Sequence, residues 1–280
     1  MSPTPEPASQ DQKSDQAAEA RLAFACEIAQ EAGAHTLKYF RNDSLGVDHK
    51  GDGSPVTVAD REAEQLLRER IGERFPEDAI LGEEFPLKEG TSGYRWVLDP
   101  IDGTKSFIYG ITMYTNLVAV LDESTDEPIL GVINAPAARE MIYARVGGGA
   151  WYQDGDKELV QARVSQTQNL EQALFLSGDL YGFRERPNDA MDVYMALEKT
   201  ARVTRTWGDA YGYLMVATGR AEVMIDASMS LWDAAALRPV IEEAGGSFTS
   251  WEGNPTVQAE EAVATNVHLA EAVLSLTRGR

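Results

Sequence analysis

Acidic residues placed where apolar strands end are the most chemically pointed feature of this chain. In WVLDPIDGTKSF, residues 96–107, three apolar residues lead into Asp99 and Asp102, which stand three positions apart around Pro100 and Ile101. LGEEF, residues 81–85, brings Glu83 and Glu84 to the end of a second short apolar run, and LWDAA, residues 231–235, places Asp233 at the start of a helical pattern. Carboxylates gathered in one place repel and cannot all stay ionised without cations. Hard oxygen donors of this kind suit Mg²⁺ or Mn²⁺ better than zinc. Asp99 and Asp102 are close enough in sequence to hold two metal ions between them. Pro100 stiffens the turn, and Gly103 lets the backbone approach a ligand closely. A helix beginning at Gly103-Thr104 would add free N–H groups, an anion site next to the metals. Two metals beside such a cradle suit the hydrolysis of a phosphate ester. Taken singly these signals say little: a lone acid pair is ordinarily a solvated turn, and WDAA alone reads as a helix cap. Their combination in this order carries the reading.

These residues need elements to position them. Apolar residues recur at helical spacing from Ala18 to Phe40, and again from about Val58 until Pro76 stops the pattern, with Thr57 or Asp60 as the cap. AILGEE reads as a short strand ending in acids, and YRWVLDP as a strand ended by Pro100. YTNLVAVLDE, PILGVINAPA and EMIYARVGGGAWY predict an antiparallel meander with Gly and Asp turns. After about Gln161 the style changes. ALFLSGD, RVTRTWG and EVMIDA read as strands; PNDAMDVYMALEKTA, DAYGYLMVATGRA, LWDAAALRPVIEEAGG and EAVLSLTRG read as helices. The predicted fold class is therefore α+β followed by α/β, with a first subdomain over 18–160 and a second over 161–280. No internal repeat is visible.

Composition narrows the partners. The chain has 280 residues, 43% of them hydrophobic, which suffices for a substantial core. It holds no apolar run near the ~18–20 residues a membrane span needs. The opening MSPTPEPASQDQKSDQ lacks the basic start and apolar centre of a secretory signal, so the expected location is cytoplasmic. Its Pro, Ser, Gln and acidic residues predict a disordered tail over 1–17. The net charge of −20 argues against nucleic acid as a partner. It does not argue against a small phosphorylated molecule if divalent cations reverse the local field. Cys26, the lone cysteine, excludes an intrachain disulfide and reads as a packing residue. His35, His49 and His268 fall in no motif and read as surface residues, so a histidine-based mechanism is unattractive.

The chain resembles the inositol monophosphatase family of Mg²⁺-dependent, lithium-sensitive phosphatases. The matching residues are LGEEF at 81–85, WVLDPIDGTKSF at 96–107 and WDAAALRPVIEEAGG at 232–246, with Lys50 and VTVAD at 56–60 also fitting. The resemblance runs from about Ala18 to the C-terminus. It implies a layered αβαβα sandwich of the sugar-phosphatase type, a homodimer, and two or three Mg²⁺ per site that Mn²⁺ could replace. Glu83 and Asp99, with the Ile101 carbonyl, would hold one metal. Asp99, Asp102 and Asp233 would hold the second, and a weaker third could share Asp102. Thr104 would hydrogen-bond to Asp60 and to the water that becomes the nucleophile, with Glu84 near that water. The Gly103 and Thr104 amides would bind phosphate, and the second metal would stabilise the leaving alkoxide.

Within the family, DGTKSF and especially RTWGDAYGYLMVATGRAEVMID at 205–226 resemble the histidinol-phosphatase branch. That resemblance implies that Trp207 to Tyr211 line the site opposite the metals, and that Asp209 and Asp226 join Asp233 around the substrate. A carboxylate at the non-phosphate end suits an amine or imidazole. The expected reaction is hydrolysis of L-histidinol phosphate to L-histidinol and phosphate, a step of histidine biosynthesis. Inositol monophosphate and nucleotide 3′-phosphates, including a 3′(2′),5′-bisphosphate, are the alternatives within the class. Arg184 and Arg186 could serve a second phosphate or form a solvated loop, and Lys105 has no assigned role. A metal- and phosphate-binding regulatory protein without turnover is the alternative outside the class, and the intact set of acids argues against it.

Overall fold

The computed structural model describes residues 10–42, 45–51, 53–186 and 189–279. Helix α1 (Gln10–Thr36) leads to a short antiparallel pair, β1 (Val47–His49) and β2 (Pro55–Thr57), and then to α2 (Val58–Arg74), β3 (Ala79–Gly82), β4 (Tyr94–Asp102) and α3 (Thr104–Ile108). The meander β5 (Thr115–Asp122), β6 (Glu127–Ala135), β7 (Glu140–Arg145), β8 (Gly149–Asp154) and β9 (Val160–Gln161) follows. Among the described residues, β3 to β9 form a seven-stranded sheet in sequence order, antiparallel except for the β3–β4 pair. The rest of the chain runs β10 (Leu174–Ser177), α4 (Tyr181–Glu185), α5 (Ala190–Thr200), β11 (Val203–Arg205), α6 (Ala210–Ala217), β12 (Val223–Asp226), α7 (Leu231–Ala234), α8 (Leu237–Glu243), β13 (Gly246–Thr249), β14 (Ala262–Asn266) and α9 (Ala270–Thr277). Its strands form a second sheet of order β11-β10-β12-β14-β13.

The layers follow from where the apolar residues point. Side chains alternate across a strand, and the central strands are apolar on both faces. Trp96, Leu98, Val118 and Val120 meet Ala25, Ile28 and Ala29 of α1 and Leu67 and Ile71 of α2. Val97, Leu117 and Ala119 face the other way, into a core shared with Leu214 of α6 and Val240 and Ile241 of α8. That core continues to Met224, Phe248 and Ala264 of the second sheet, whose far face packs on α5 and α9 through Phe175, Val193, Leu197 and Val273. Helices, sheet, helices, sheet and helices stack in turn, the αβαβα sandwich that the family resemblance implied. No helix among the described residues is long and apolar enough to cross a membrane.

Four local expectations differ from the structure. Helix α1 begins at Gln10, inside the stretch expected to be tail, and ends at Thr36 rather than Phe40. The sequence there shows no apolar spacing to detect; in the structure Arg145 of β7 pairs with Asp15 at 2.6 Å and Glu19 at 3.1 Å. Residues 1–9 of the expected tail lie outside the described residues. LWDAAALRPVIEEAGG forms two helices, α7 and α8, and Pro239 falls in the first turn of α8, where its missing N–H costs nothing. Strands β13 and β14 have no counterpart in the pattern reading. Every residue of β14 is buried, so no alternation marks it. Both pairings of β14 are antiparallel, which makes the second sheet mixed rather than wholly parallel.

Leu67 is fully buried between α1, α2 and β4. Leu67→Ala is expected to cost about 2–5 kcal/mol through lost burial and the cavity left behind. Urea unfolding at constant pH measures this, and a loss under about 1 kcal/mol would contradict the packing described.

Candidate active site

Asp99 and Asp102 reach one site because β4 is irregular between them. In a regular strand, residues three apart point to opposite faces. Here Asp99 pairs with Leu117 and Asp102 with Thr115, and the register shifts in between. Pro100 donates no ladder bond; its carbonyl is caught instead by the Asn116 side-chain amide at 2.6 Å. The bulge turns Asp102 to the side of Asp99. Gly103 then takes a left-handed conformation, φ +79°, to start α3, which agrees with a helix beginning at Gly103-Thr104.

Each aspartate spends an oxygen on the protein. The Ile101 amide donates to Asp99 Oδ1 at 3.0 Å. Thr115 Oγ1 and the Ala210 amide donate to Asp102 Oδ2 at 3.0 and 2.7 Å. Asp233 caps α7, its Oδ2 accepting from the Ser230 amide at 2.6 Å. Among the described residues, Asp99, Asp102 and Asp233 each offer a carboxylate oxygen within 4.8 Å of the others, a group that could hold a metal ion. Burial, reinforced by Glu83, Asp102 and Asp233, pushes the Asp99 carboxyl well above the ordinary aspartate range. Burial, with Asp209 and Asp233, does the same to Asp102. Asp233 is raised to about 6, chiefly by burial. An all-oxygen donor set this crowded fits a hard divalent cation.

Glu83 lines the same cavity but stands outside that trio. The Lys50 ammonium bridges Glu83 Oε1 at 2.7 Å and Glu84 Oε1 at 2.6 Å. Burial works against the charge on Lys50, but its bonds to Glu83 and Glu84 outweigh this and raise its pKa. Glu84 is raised too, because burial outweighs its bond to Lys50. Thr104 Oγ1 lies 3.4 Å from Asp60 Oδ1 and 3.2 Å from the Ile101 carbonyl. Thr57 and Asp60 together cap α2: the Thr57 amide and hydroxyl both donate to Asp60 Oδ2, at 2.8 and 2.6 Å. Burial raises the Asp60 carboxyl as well.

Of these groups Glu83, Asp102, Thr104 and Asp233 line an open cavity of about 980 Å³. Glu83, Asp102, Gly103, Thr104 and Lys105 line it, together with Gly178, Asp179, Asp209, Asp226 and Asp233. Among the described lining residues are eight carboxylates and two bases, Lys105 and Arg186. Both bases are paired. Lys105 donates to Asp179 at 2.7 Å; Arg186 pairs with Glu261 and lies 4.3 Å over the Trp251 ring. Arg184 is exposed and is not among the lining residues. Asp226 accepts from Tyr213 Oη at 2.9 Å and from the Gly178 amide at 3.2 Å, and burial with the Asp209 charge pushes it up to about 7. Asp209 is raised by burial. A Cβ on Gly178 would lie 2.9 Å from Asp226 Oδ1 and 3.3 Å from Asp209 Oδ1, so both carboxylates close over a residue that must stay small.

Of residues 207–211, Gly208, Asp209 and Ala210 reach the cavity, whereas Trp207 and Tyr211 do not. Trp207 is 39% exposed outside it, and Tyr211 donates its hydroxyl to Glu140 at 2.7 Å. Among the described residues His35, His49 and His268 are likewise not lining ones. Burial pushes the Cys26 thiol up to about 12, as suits a packing residue. Sequence reasoning gave Lys50 no role and missed Gly178, Asp179 and Tyr213 altogether. Only Tyr213 carried a signal, one helical turn beyond Asp209 on α6.

Comparison with known proteins follows the same lines. The model of the inositol monophosphatase family matches residues 17–279. A histidinol-phosphatase of Chlorobaculum parvum is 41% identical over 236 residues, covering 84% of this chain and 88% of that protein. A histidinol-phosphatase of Streptomyces coelicolor is 34% identical over 261 residues, covering 92% of this chain and 97% of its own. The solved structure of a Thermotoga maritima IMPase superposes with a TM-score of 0.79 at 28% identity, covering 92% of this chain and 96% of that one.

Asp226 and Asp233 titrate in the folded protein at about 7 and about 6, above the ~3.9 of an unfolded aspartate. Between those values the folded state holds protons that the unfolded state has released. Their stabilising contribution is whole below about pH 4 and is lost as pH rises through 6 to 7. In EDTA the melting temperature is therefore expected to fall between about pH 5 and pH 8. Scanning calorimetry tests this, and a rise over that interval would contradict the buried-acid description.

Proposed function

Because the chain belongs to the inositol monophosphatase family, we propose that it is a Mg²⁺-dependent phosphoric monoester hydrolase that converts L-histidinol phosphate and water to L-histidinol and phosphate. One observation carries this reading: Asp102 and Asp233, which with Asp99 could hold a metal ion, line a cavity that two more carboxylates, Asp209 and Asp226, also line. The first group calls for metal ions, the second for a substrate with a positive charge away from its phosphate. A protonated amine or imidazole there favours the ionised forms of Asp209 and Asp226. Inositol carries no such charge.

Asp99, Asp102 and Asp233, with Glu83 and the Ile101 carbonyl beside them, would hold the ions. When bound, divalent cations lower the pKa of water and neutralise phosphate charge. The chain's own groups do the rest. The Thr104 hydroxyl, able to donate to Asp60 Oδ1, offers its lone pairs to the attacking water and relays a proton to Asp60. The Asp60 carboxyl, raised by burial, suits that task. Glu84 would stand near that water, and the Gly103 and Thr104 amides would bind the phosphate oxygens. Asp209 and Asp226 orient the leaving alcohol through its cationic end. Millimolar Li⁺ should inhibit, and the working unit is a homodimer.

Phosphate release from histidinol phosphate, inositol 1-phosphate and adenosine 3′,5′-bisphosphate, with Mg²⁺ and with EDTA, tests the assignment. Histidinol phosphate is the expected preference; a clear preference for inositol 1-phosphate would overturn the substrate, and no release from any ester would overturn the reaction. Thr104→Ala is expected to lower kcat by about 10²–10⁴-fold with little change in KM. Asp226→Asn removes a charged hydrogen bond of about 1.5–3 kcal/mol. It should lower kcat/KM for histidinol phosphate roughly 10–100-fold, and for inositol 1-phosphate far less. An equal loss on both esters would show that Asp226 does not read the cationic end.

A further inference from the structure

Helix α2 carries two buried carboxylates one turn apart on one face, Asp60 and Glu64. Asp60 belongs to the site above. Glu64 is fully buried and takes no part in the chemistry described. Arg68, four residues on, donates Nε to Glu64 Oε1 at 2.7 Å. The same Oε1 accepts from the Phe85 amide at 3.2 Å, and Oε2 accepts from the Glu84 amide at 2.7 Å. Arg68 Nη2 closes the ring by donating to the Phe85 carbonyl at 2.8 Å. The Glu83 amide itself donates to the Leu98 carbonyl of β4 at 3.2 Å. Three successive amides of the acidic segment after β3 are thereby fixed, two of them by one helix side chain.

Gly82 makes the arrangement possible, since a Cβ there would stand 2.1 Å from Glu64 Oε1. A buried charge costs free energy unless every oxygen is answered, and an apolar side chain of similar volume would pack here without that cost. What the charge adds is a defined place for the Glu83–Phe85 backbone.

We propose that Glu64 is a positioning residue for the metal centre: by holding the Glu84 and Phe85 amides, it sets where the Glu83 carboxylate stands relative to Asp99 and Asp233. The proposal rests on the reading of Glu83 as a metal ligand. Groups that orient ligands in this way change metal affinity about 10–100-fold when removed. Helix α2 then serves the site twice, through Asp60 to Thr104 and through Glu64 to Glu83.

The test is equilibrium binding of Mn²⁺ to the full-length, EDTA-stripped protein without substrate, with free Mn²⁺ read by electron paramagnetic resonance and folding checked by circular dichroism. Glu64→Gln is expected to stay folded and to raise the Mn²⁺ Kd about 10–100-fold. Glu64→Asp keeps the charge for Arg68 but draws the carboxylate back by one methylene. It should weaken Mn²⁺ in the same direction, and it carries the test should Glu64→Gln not fold. A folded variant of either kind with the wild-type Kd overturns the positioning role while leaving the metal site standing. Failure of the wild type to bind Mn²⁺ removes the metal reading, and the positioning role with it.

Discussion

Asp99, Asp102 and Asp233 bring carboxylate oxygens within 4.8 Å of one another, the first two buried and the third half-buried. At an effective dielectric near 20, two unit charges 4 Å apart repel by roughly 4 kcal/mol, so the folded chain alone cannot keep all of them ionised. Its answer is partial and consistent. One oxygen of each aspartate is held by backbone or hydroxyl donors, from Ile101, from Thr115 and Ala210, and from Ser230. These bonds fix the direction of each carboxylate. The repulsion that remains is the demand for a cation, and the fold around the cavity is the frame that sustains it.

That frame uses one local device twice. Asp60 and Asp233 are both the third residue of a helix and both accept from the amide of the residue that caps it, Thr57 and Ser230. A helix start is a rigid mount, because the capping bond locks the side chain as it satisfies an orphan amide. One mount belongs to α2, which packs on the seven-stranded sheet; the other precedes α8, which packs between the sheets. The site is therefore set by helix termini and a strand bulge rather than by long loops, a rigid basis for polar geometry.

The sequence was most legible where period and composition agree. The antiparallel meander, α2 with its cap and stop, and the two-part organisation of strands could all be read from apolar spacing. Glu83, Glu84, Asp99 and Asp102 could be chosen because they end apolar runs, and Asp233 because it opens a helical pattern. That Asp99 and Asp102 face the same way could not be read, since the period of a strand puts them on opposite sides and only the bulge corrects it. Strand β14 escaped because a short, wholly buried strand shows no alternation, and β13 because four residues opening on Gly246 are too few to show one. Trp207 and Tyr211 were read as site residues from their neighbours in the motif, but Trp207 stands exposed in the segment before α6, and Glu140 holds Tyr211 elsewhere. Glu64 looked like one acid among many on a charged helix; its burial is a property of Gly82 and β3, which only the fold brings beside it.

The aspartate trio also bears on how the molecule comes apart. Asp99 and Asp102 stand at the end of β4 in the first sheet, and Asp233 on α7 after the last parallel strand of the second. In a denatured chain these ligands drift far from one another, so an ion finds its seat only in the native state. A cation gripping all three would be a removable crosslink between the two halves of the chain, closing a long span much as a disulfide does, in a chain whose single cysteine can form none within it. By mass action, an ion at a hundred times its dissociation constant adds about 2.7 kcal/mol. Resistance to unfolding would then be a reading of the surrounding divalent-ion concentration, and a chelator would work on this chain as a mild denaturant.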